Sequence, residues 1–279
     1  MRSSTCGSLC WLLVACAGAP SSPSYLQHPF VGRFADALAF VPQGMDRLML
    51  TDCEVAVPEG ERTSARRREV RCGRPADVQA SDPADPATAW TVVWSRRQWF
   101  EGVTIADYGT AGVPRAELEA LGAPQGTVAG HAVRWRGEHE VGLGQTSPAT
   151  WSTVVDERFL VVANSEALLQ SALARPHGDI AATLVREVDI GAGAGWVVFA
   201  TETGTWTVFD PSCTRVELCW PEAEGPPTDP LELEEGVRVE DLGRRGSNHR
   251  WRCFAPRDSA ACYTLTLKAL MRFGYLITI

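Results

Sequence analysis

The apolar positions of this chain fall mostly in short runs of alternating or β-branched character, separated by polar, glycine- or proline-containing links, and only a few stretches switch to the helical period. The clearest pattern covers residues 151–173. Residues 151–155 and 159–163 are rich in β-branched and aromatic side chains, and the link Asp156, Glu157 and Arg158 is polar and short, as a tight antiparallel hairpin requires. Asn164 and Ser165 then supply side-chain acceptors for the free N–H groups of a following helix. Leu168, Leu169, Ala172 and Leu173 give that helix one apolar stripe. A hairpin followed by an amphipathic helix buries one sheet face under the helix.

The same reading extends along the chain. Residues 30–40 carry a weakly helical run through Phe30, Phe34, Ala37 and Leu38, ended by Pro42 and Gly44. Residues 47–57 alternate as a strand and 68–72 form its return, with a charged loop at 58–67. Strands are expected at 91–94 and 103–106, and a short helix at 114–121 with Pro114 in its first turn and Gly122 as its stop. Residues 131–135 and 140–143 read as a hairpin across Arg136, Gly137 and Glu138. Asp179 caps a helix through Val188, the glycines at 191, 193 and 195 break it, and 196–200 pairs with 205–209. Short strands follow at 236–240 and 250–254, then a capped helix over 258–273 and a last strand over 275–279.

The expected fold class is α+β, made of antiparallel β-hairpins with short amphipathic helices packed on one sheet face. The element order from 91 to 209 hints at a duplicated unit. Residues 30–220 form the main domain, with a sub-boundary at the Pro-, Ala- and Asp-rich stretch 76–88. A second, acidic linker covers 221–230, and 231–279 reads as a strand and helix segment of the same domain. With 279 residues and 45% hydrophobic content, the chain is long enough for a sizeable core.

The amino-terminal residues carry a different signal. Arg2 is the only charge before position 33, residues 9–15 (LCWLLVA) are a brief apolar run too short to span a bilayer, and Leu13, Val14, Ala15 and Cys16 follow. LVAC resembles the lipobox of bacterial lipoproteins, where a peptidase cuts before the cysteine and its thiol carries a diacylglycerol. The resemblance covers only the leader. It implies a signal peptide over 1–15, lipidation at Cys16, a flexible tether over 16–29 and a membrane-surface position outside the cytoplasm. An ordinary secretory signal is the alternative, which would make the protein secreted.

Cysteine usage points to the same compartment. Setting aside Cys6, Cys10 and Cys16, six remain in three neighbouring couples: Cys53 with Cys72, Cys213 with Cys219, and Cys253 with Cys262. An even remainder in an exported chain suggests disulfides, and the sequential pairing encloses one hairpin or loop per bridge. No CxxC spacing occurs and no couple adjoins a histidine, so the pattern does not point to a metal site.

The net charge of −8 argues against nucleic-acid binding, since a phosphate backbone rewards the opposite sign. Lys268 is the only lysine and lies in no SxxK or P-loop pattern. The glycines at 191–195 precede Trp196 and a strand, not the third glycine and helix of a dinucleotide site, and His139–Glu140 lacks the second histidine of HExxH. No catalytic motif or cofactor is expected. The basic cluster at Arg62, Arg66, Arg67, Arg68, Arg71 and Arg74 fits a solvated loop or a charged strand edge.

Tryptophan is the remaining source of candidate chemistry, with ten in the chain. Trp94 and Trp99, flanking Arg96 and Arg97, are the candidate binding residues, since a strand carrying arginines cannot be buried on both faces. The leading expectation is a non-catalytic, membrane-anchored envelope lipoprotein that binds another envelope protein or serves as a structural component. A glycan- or peptidoglycan-binding lipoprotein using tryptophan and arginine is the alternative. An exported hydrolase with an unrecognised carboxylate pair is the second.

Overall fold

The computed structural model describes residues 24–56, 69–72, 89–97, 101–142, 145–210, 215–221 and 236–256. The described chain begins with 3-10 turns at Ser24–Gln27 and Val31–Phe34 and the short helix α1 (Ala35–Leu38). Strands β1 (Arg47–Ala56), β2 (Glu69–Cys72), β3 (Ala89–Arg97) and β4 (Glu101–Asp107) follow, then α2 (Arg115–Leu121). Next come β5 (Gly126–Val128), β6 (His131–Arg136), β7 (His139–Gly142), β8 (Gln145–Ser147), β9 (Thr150–Val155) and β10 (Phe159–Ala163). Helices α3 (Glu166–Leu173) and α4 (Ile180–Glu187) precede β11 (Trp196–Ala200), β12 (Thr205–Phe209), β13 (Arg215–Pro221), β14 (Arg238–Arg245) and β15 (Asn248–Phe254).

The architecture is mainly antiparallel sheet with few, short helices. Among the described residues, thirteen strands join one sheet in the order β14-β15-β13-β12-β11-β1-β3-β4-β10-β9-β6-β5, with β2 also paired to β1. β1 sits in the middle and takes three partners, β3 on one edge and β11 and β2 in succession on the other. One edge pairs with β3 from Arg47 to Glu54, while its other edge pairs first with β11 through Thr51 and then with β2 from Cys53. Two wings result, one from β3 to β5 and one from β11 to β14.

Alternation sorts the side chains of β1 to opposite faces. Leu48 and Leu50 enter the main cluster, with Val93, Ile105, Val161, Val197 and Phe199 from neighbouring strands. Phe30, Phe34 and Leu38 from the amino-terminal turns, Leu168 and Leu169 from α3 and Leu184 from α4 complete that cluster. Met49 points the other way and joins Val198, Leu218, Trp220 and Trp251 in a second cluster, which is built from strand residues among the described ones. Burying a Leu or Phe side chain of this kind contributes about 1.5–3 kcal/mol each.

The hairpin and helix read from residues 151–173 are present within a residue of their expected limits. Asp156 and Glu157 adopt φ of 53° and 56°, the left-handed centre of the three-residue link between the paired Val155 and Phe159, closed by the Arg158 N–H donating to the Val155 carbonyl. Ser165 caps α3 by accepting a hydrogen bond from the Leu168 N–H. Other expectations change. Residues 131–135 do not pair with 140–143: β6 lies between β5 and β9, and β7 folds back on β8 as a separate two-stranded sheet. The local hairpin expected there is replaced because both edges of β6 are taken by β5 and β9. The run 30–40 is a 3-10 turn followed by a single helical turn, and Tyr25, inside the expected tether, is already buried in the main cluster. Position 221 ends β13 and does not open a linker. The expected leader, the boundary at 76–88, the helix over 258–273 and the strand over 275–279 lie outside the described residues.

Candidate functional site

The outer end of the first wing presents an aromatic pair. β6 and β9 run antiparallel with Val133 opposite Thr153 and Trp135 opposite Trp151. Val133 and Val155 enter the main cluster, so the alternation that buries them puts Trp135 and Trp151 on the same face of the sheet, further out. Trp151 is half-buried and packs against the main cluster. Trp135 is 50% exposed, the exposed large hydrophobic among the described residues. The two indoles are tilted at 56° with centroids 6.3 Å apart, a spacing at which aromatic pairs attract.

The surroundings hold the exposed indole in place. Its backbone N–H donates to Gln125 Oε1 at 3.1 Å, and Gln125 donates its own N–H to the Val133 carbonyl at 2.9 Å. Arg134, on the opposite face of β6, donates from Nε to the Gly122 carbonyl at 2.7 Å and ties the strand to the end of α2. Gly137 leaves room for the ring: a Cβ there would stand 3.3 Å from Cη2 of Trp135. The indole is therefore a supported, amphipathic surface with half of its area in solvent.

The opposite end of the same sheet face is charged. Across β13, β15 and β14, Glu217 stands opposite Arg252 and Arg252 opposite Glu240, a negative, positive, negative row. Arg252 Nε donates to Glu217 Oε1 at 2.9 Å and Nη1 lies 3.5 Å from Glu240 Oε2. Arg215 also bonds Glu217, Arg238 bonds Glu240 at 3.1 Å, and the Arg238 guanidinium lies 4.4 Å from the Phe254 ring centre. Burial opposes ionisation of Glu217, but the hydrogen bonds from Arg215 and Arg252 outweigh it and hold its carboxyl below the ordinary range.

The residues singled out from sequence do not converge on one patch. Trp94 and Arg96 share a face of β3, and the Arg96 guanidinium lies 5.0 Å from the Trp94 ring centre. Trp94 is half-buried against the second cluster. Arg97 alternates to the other face and pairs with Glu101, and Trp99 lies outside the described residues. The exposed indole is Trp135, which sequence reasoning placed in a strand without choosing it. Its sequence signal, an indole directly between Arg134 and Arg136, is close to that of Trp94 with Arg96 and Arg97 nearby, but its partner Trp151 emerges only from the pairing of β6 with β9.

Cys53 and Cys72 are direct partners in the β1·β2 register. Cys219 and Cys253, expected in bridges to Cys213 and Cys262, are buried free thiols in the structure. Cys219 enters the main cluster opposite Trp206, while Cys253 enters the second cluster, so the sheet separates them. Burial pushes the Cys253 thiol up to about 12 and raises that of Cys219, against the pull of Arg245, Arg250 and a hydrogen bond to Asn248. Cys16, Cys213 and Cys262 lie outside the described residues.

A second group of charges ties elements of the fold together. Asp107, 7% exposed, receives both Nε and Nη2 of Arg158 at 2.6 Å and the Gly109 N–H at 2.8 Å, and Arg158 also reaches Asp36 at 2.9 Å. This clamp joins β4, the β9–β10 turn and α1. The carboxyls of Glu217 and Asp241 are both held below the ordinary range, Asp241 by hydrogen bonds from His249 and the Gly243 N–H. A general acid near neutral pH needs the opposite displacement. Among the described residues no group of three or more His, Cys, Asp or Glu is arranged to hold a metal, and no helix is long and apolar enough to cross a membrane. No protein-family model, no curated protein and no solved structure matches this chain.

Proposed function

We propose that this protein is a non-catalytic, lipid-anchored envelope lipoprotein that engages another envelope protein through the Trp135–Trp151 end of its sheet. The observation that carries the reading is the half-exposed Trp135 indole, ordered on Trp151 and over Gly137. Tryptophan at such a position offers large contact area with little rotamer entropy to lose, the property that enriches it at binding hot spots. The LVAC leader supports anchoring at Cys16 and export to the outer surface of a bacterial membrane. We read the short helices as one layer over the sheet face that carries Leu48 and Leu50, in an α+β arrangement of two related wings; the mixed membership of the main cluster supports this.

Two measurements test the proposal. Intact mass of protein from the native membrane fraction is expected to show a chain starting at Cys16 with added acyl mass; an unlipidated, full-length chain overturns the anchoring. In cross-linked native envelope, Trp135→Ala is expected to lose a protein partner that Trp94→Ala retains. If both variants keep the same partners, the site is wrongly placed. Retention on purified cell wall separates the glycan reading: loss with Trp94→Ala or Trp135→Ala supports a glycan ligand, and unchanged retention of both counts against it.

A further inference from the structure

We infer that Cys53 and Cys72 form a single cross-strand disulfide that locks β2 onto β1. The antiparallel register makes the two Cα atoms direct partners, followed by Glu54 with Arg71, Val55 with Val70 and Ala56 with Glu69. Directly opposed residues of an antiparallel pair lie about 4.5 or 5.5 Å apart at Cα, depending on the hydrogen-bonding position, and share a face of the sheet. Both spacings fall inside the roughly 4.4–6.8 Å that a disulfide spans without backbone movement. The other described cysteines have no such placement, since Cys219 and Cys253 stand in different clusters as buried thiols.

The position of the bridge gives it a structural purpose. β1 changes partner along one edge: Thr51 is the last residue paired with β11, and Cys53 is the first paired with β2. β2 has four residues and joins the sheet through β1 alone among the described strands. So short an edge strand holds poorly by its backbone bonds. A covalent link at its inner end fixes the register where β1 hands over from one partner to the other, and it closes the segment between the two cysteines into a ring.

The oxidation requires a disulfide-class oxidant, and glutathione disulfide is the probe. One cysteine thiolate attacks a sulfur of glutathione disulfide, forming a protein–glutathione bond and expelling one glutathione thiolate. The second cysteine thiolate attacks the protein sulfur of that mixed disulfide and expels the second glutathione. The protein loses two electrons and two protons in forming one S–S bond, and glutathione disulfide gains them as two thiols.

The test is a tryptic map of the full chain equilibrated with glutathione and glutathione disulfide, denatured in iodoacetamide without reductant. Trypsin cuts after Arg47, Arg62 and Arg71, so the peptide 48–62 and the peptide beginning at Cys72 are held together only by the bridge. The expected result is one linked pair that separates on reduction, with Cys219 and Cys253 carrying the alkyl label. Recovery of both peptides unlinked and alkylated, or linkage of Cys53 or Cys72 to any other cysteine, overturns the inference. Reduction is also expected to lower Tm by roughly 5–10 °C in the native sequence and not in C53S/C72S. The peptide map decides the matter even if that double variant does not fold.

Discussion

The two outer ends of the sheet lie on the same face as the main cluster yet finish it in opposite ways. At the β13–β15–β14 end, Glu217, Arg252 and Glu240 alternate in sign across three strands, and Arg215 and Arg238 extend the row. Each charge there already has a neighbour within the chain. At the β6–β9 end, Trp135 rests on Trp151 with half its surface in solvent. A newcomer at the charged end must displace ion pairs and desolvate their members before it gains anything. At the aromatic end it covers apolar surface that folding has left open. On the proposed reading the aromatic end is therefore the one that accepts contact, and the charged end is the one that resists it.

The sharpest way to break this comparison is Trp135→Ala. Truncating a central aromatic anchor costs about 2 kcal/mol or more of binding, roughly thirtyfold in affinity. The fold loses only the exposed stack on Trp151, about 0.5–1.5 kcal/mol. Titration of a cross-linked partner and urea unfolding of the same variant measure both. A variant that unfolds readily but binds as before would make Trp135 a packing residue and remove the contrast between the ends.

At the charged end the expected pattern is reversed. Glu217→Ala leaves Arg215 and Arg252 without their shared carboxylate, whose side chain is 14% exposed, and costs about 1–3 kcal/mol of stability. Partner binding is expected to stay unchanged. The pH dependence follows from the lowered carboxyl: the folded state binds its proton less readily than the unfolded chain, whose group titrates at the ordinary 4.5. The contribution is complete above that value and disappears as pH falls through the lower, folded one. Urea unfolding between neutral pH and about pH 3 is therefore expected to lose a component that Glu217→Gln does not have. Equal acid sensitivity of the two proteins would show that the row contributes nothing at Glu217.

How much of this was legible in the sequence depends on the distance over which each feature is decided. The hairpin of β9 and β10, the Ser165 cap and the Gly122 stop of α2 are set by residues a few positions apart, and the pattern of polar link and apolar run was enough. β13 was missed although Val216, Leu218 and Trp220 alternate, because Cys213 and Cys219 suggested a bridged loop and Pro221 a linker. The pairing of β6 with β9 was missed because a neighbouring run, 140–143, offered a more local partner. That one non-local choice also hid the candidate site, since it alone brings Trp135 opposite Trp151. Trp94 looked equivalent by composition, yet Arg96 lies over its ring. Whether an indole is open is settled by what folds onto it.

The finest adjustment of the comparison is Gly137→Ala. The added Cβ would stand 3.3 Å from Cη2 and 3.5 Å from Cζ2 of Trp135, so the ring must give by a few tenths of an ångström. Nothing is removed from the indole or from its stacking partner, and the stability change is expected to stay within about 0.5 kcal/mol, as for surface substitutions. A preorganised contact surface nevertheless depends on where the ring rests. Partner affinity is therefore expected to fall by roughly two- to fivefold, less than for Trp135→Ala, with Trp135 fluorescence shifting alongside it. An unchanged affinity with a shifted spectrum would mean that the partner reads only the presence of the indole and not its pose.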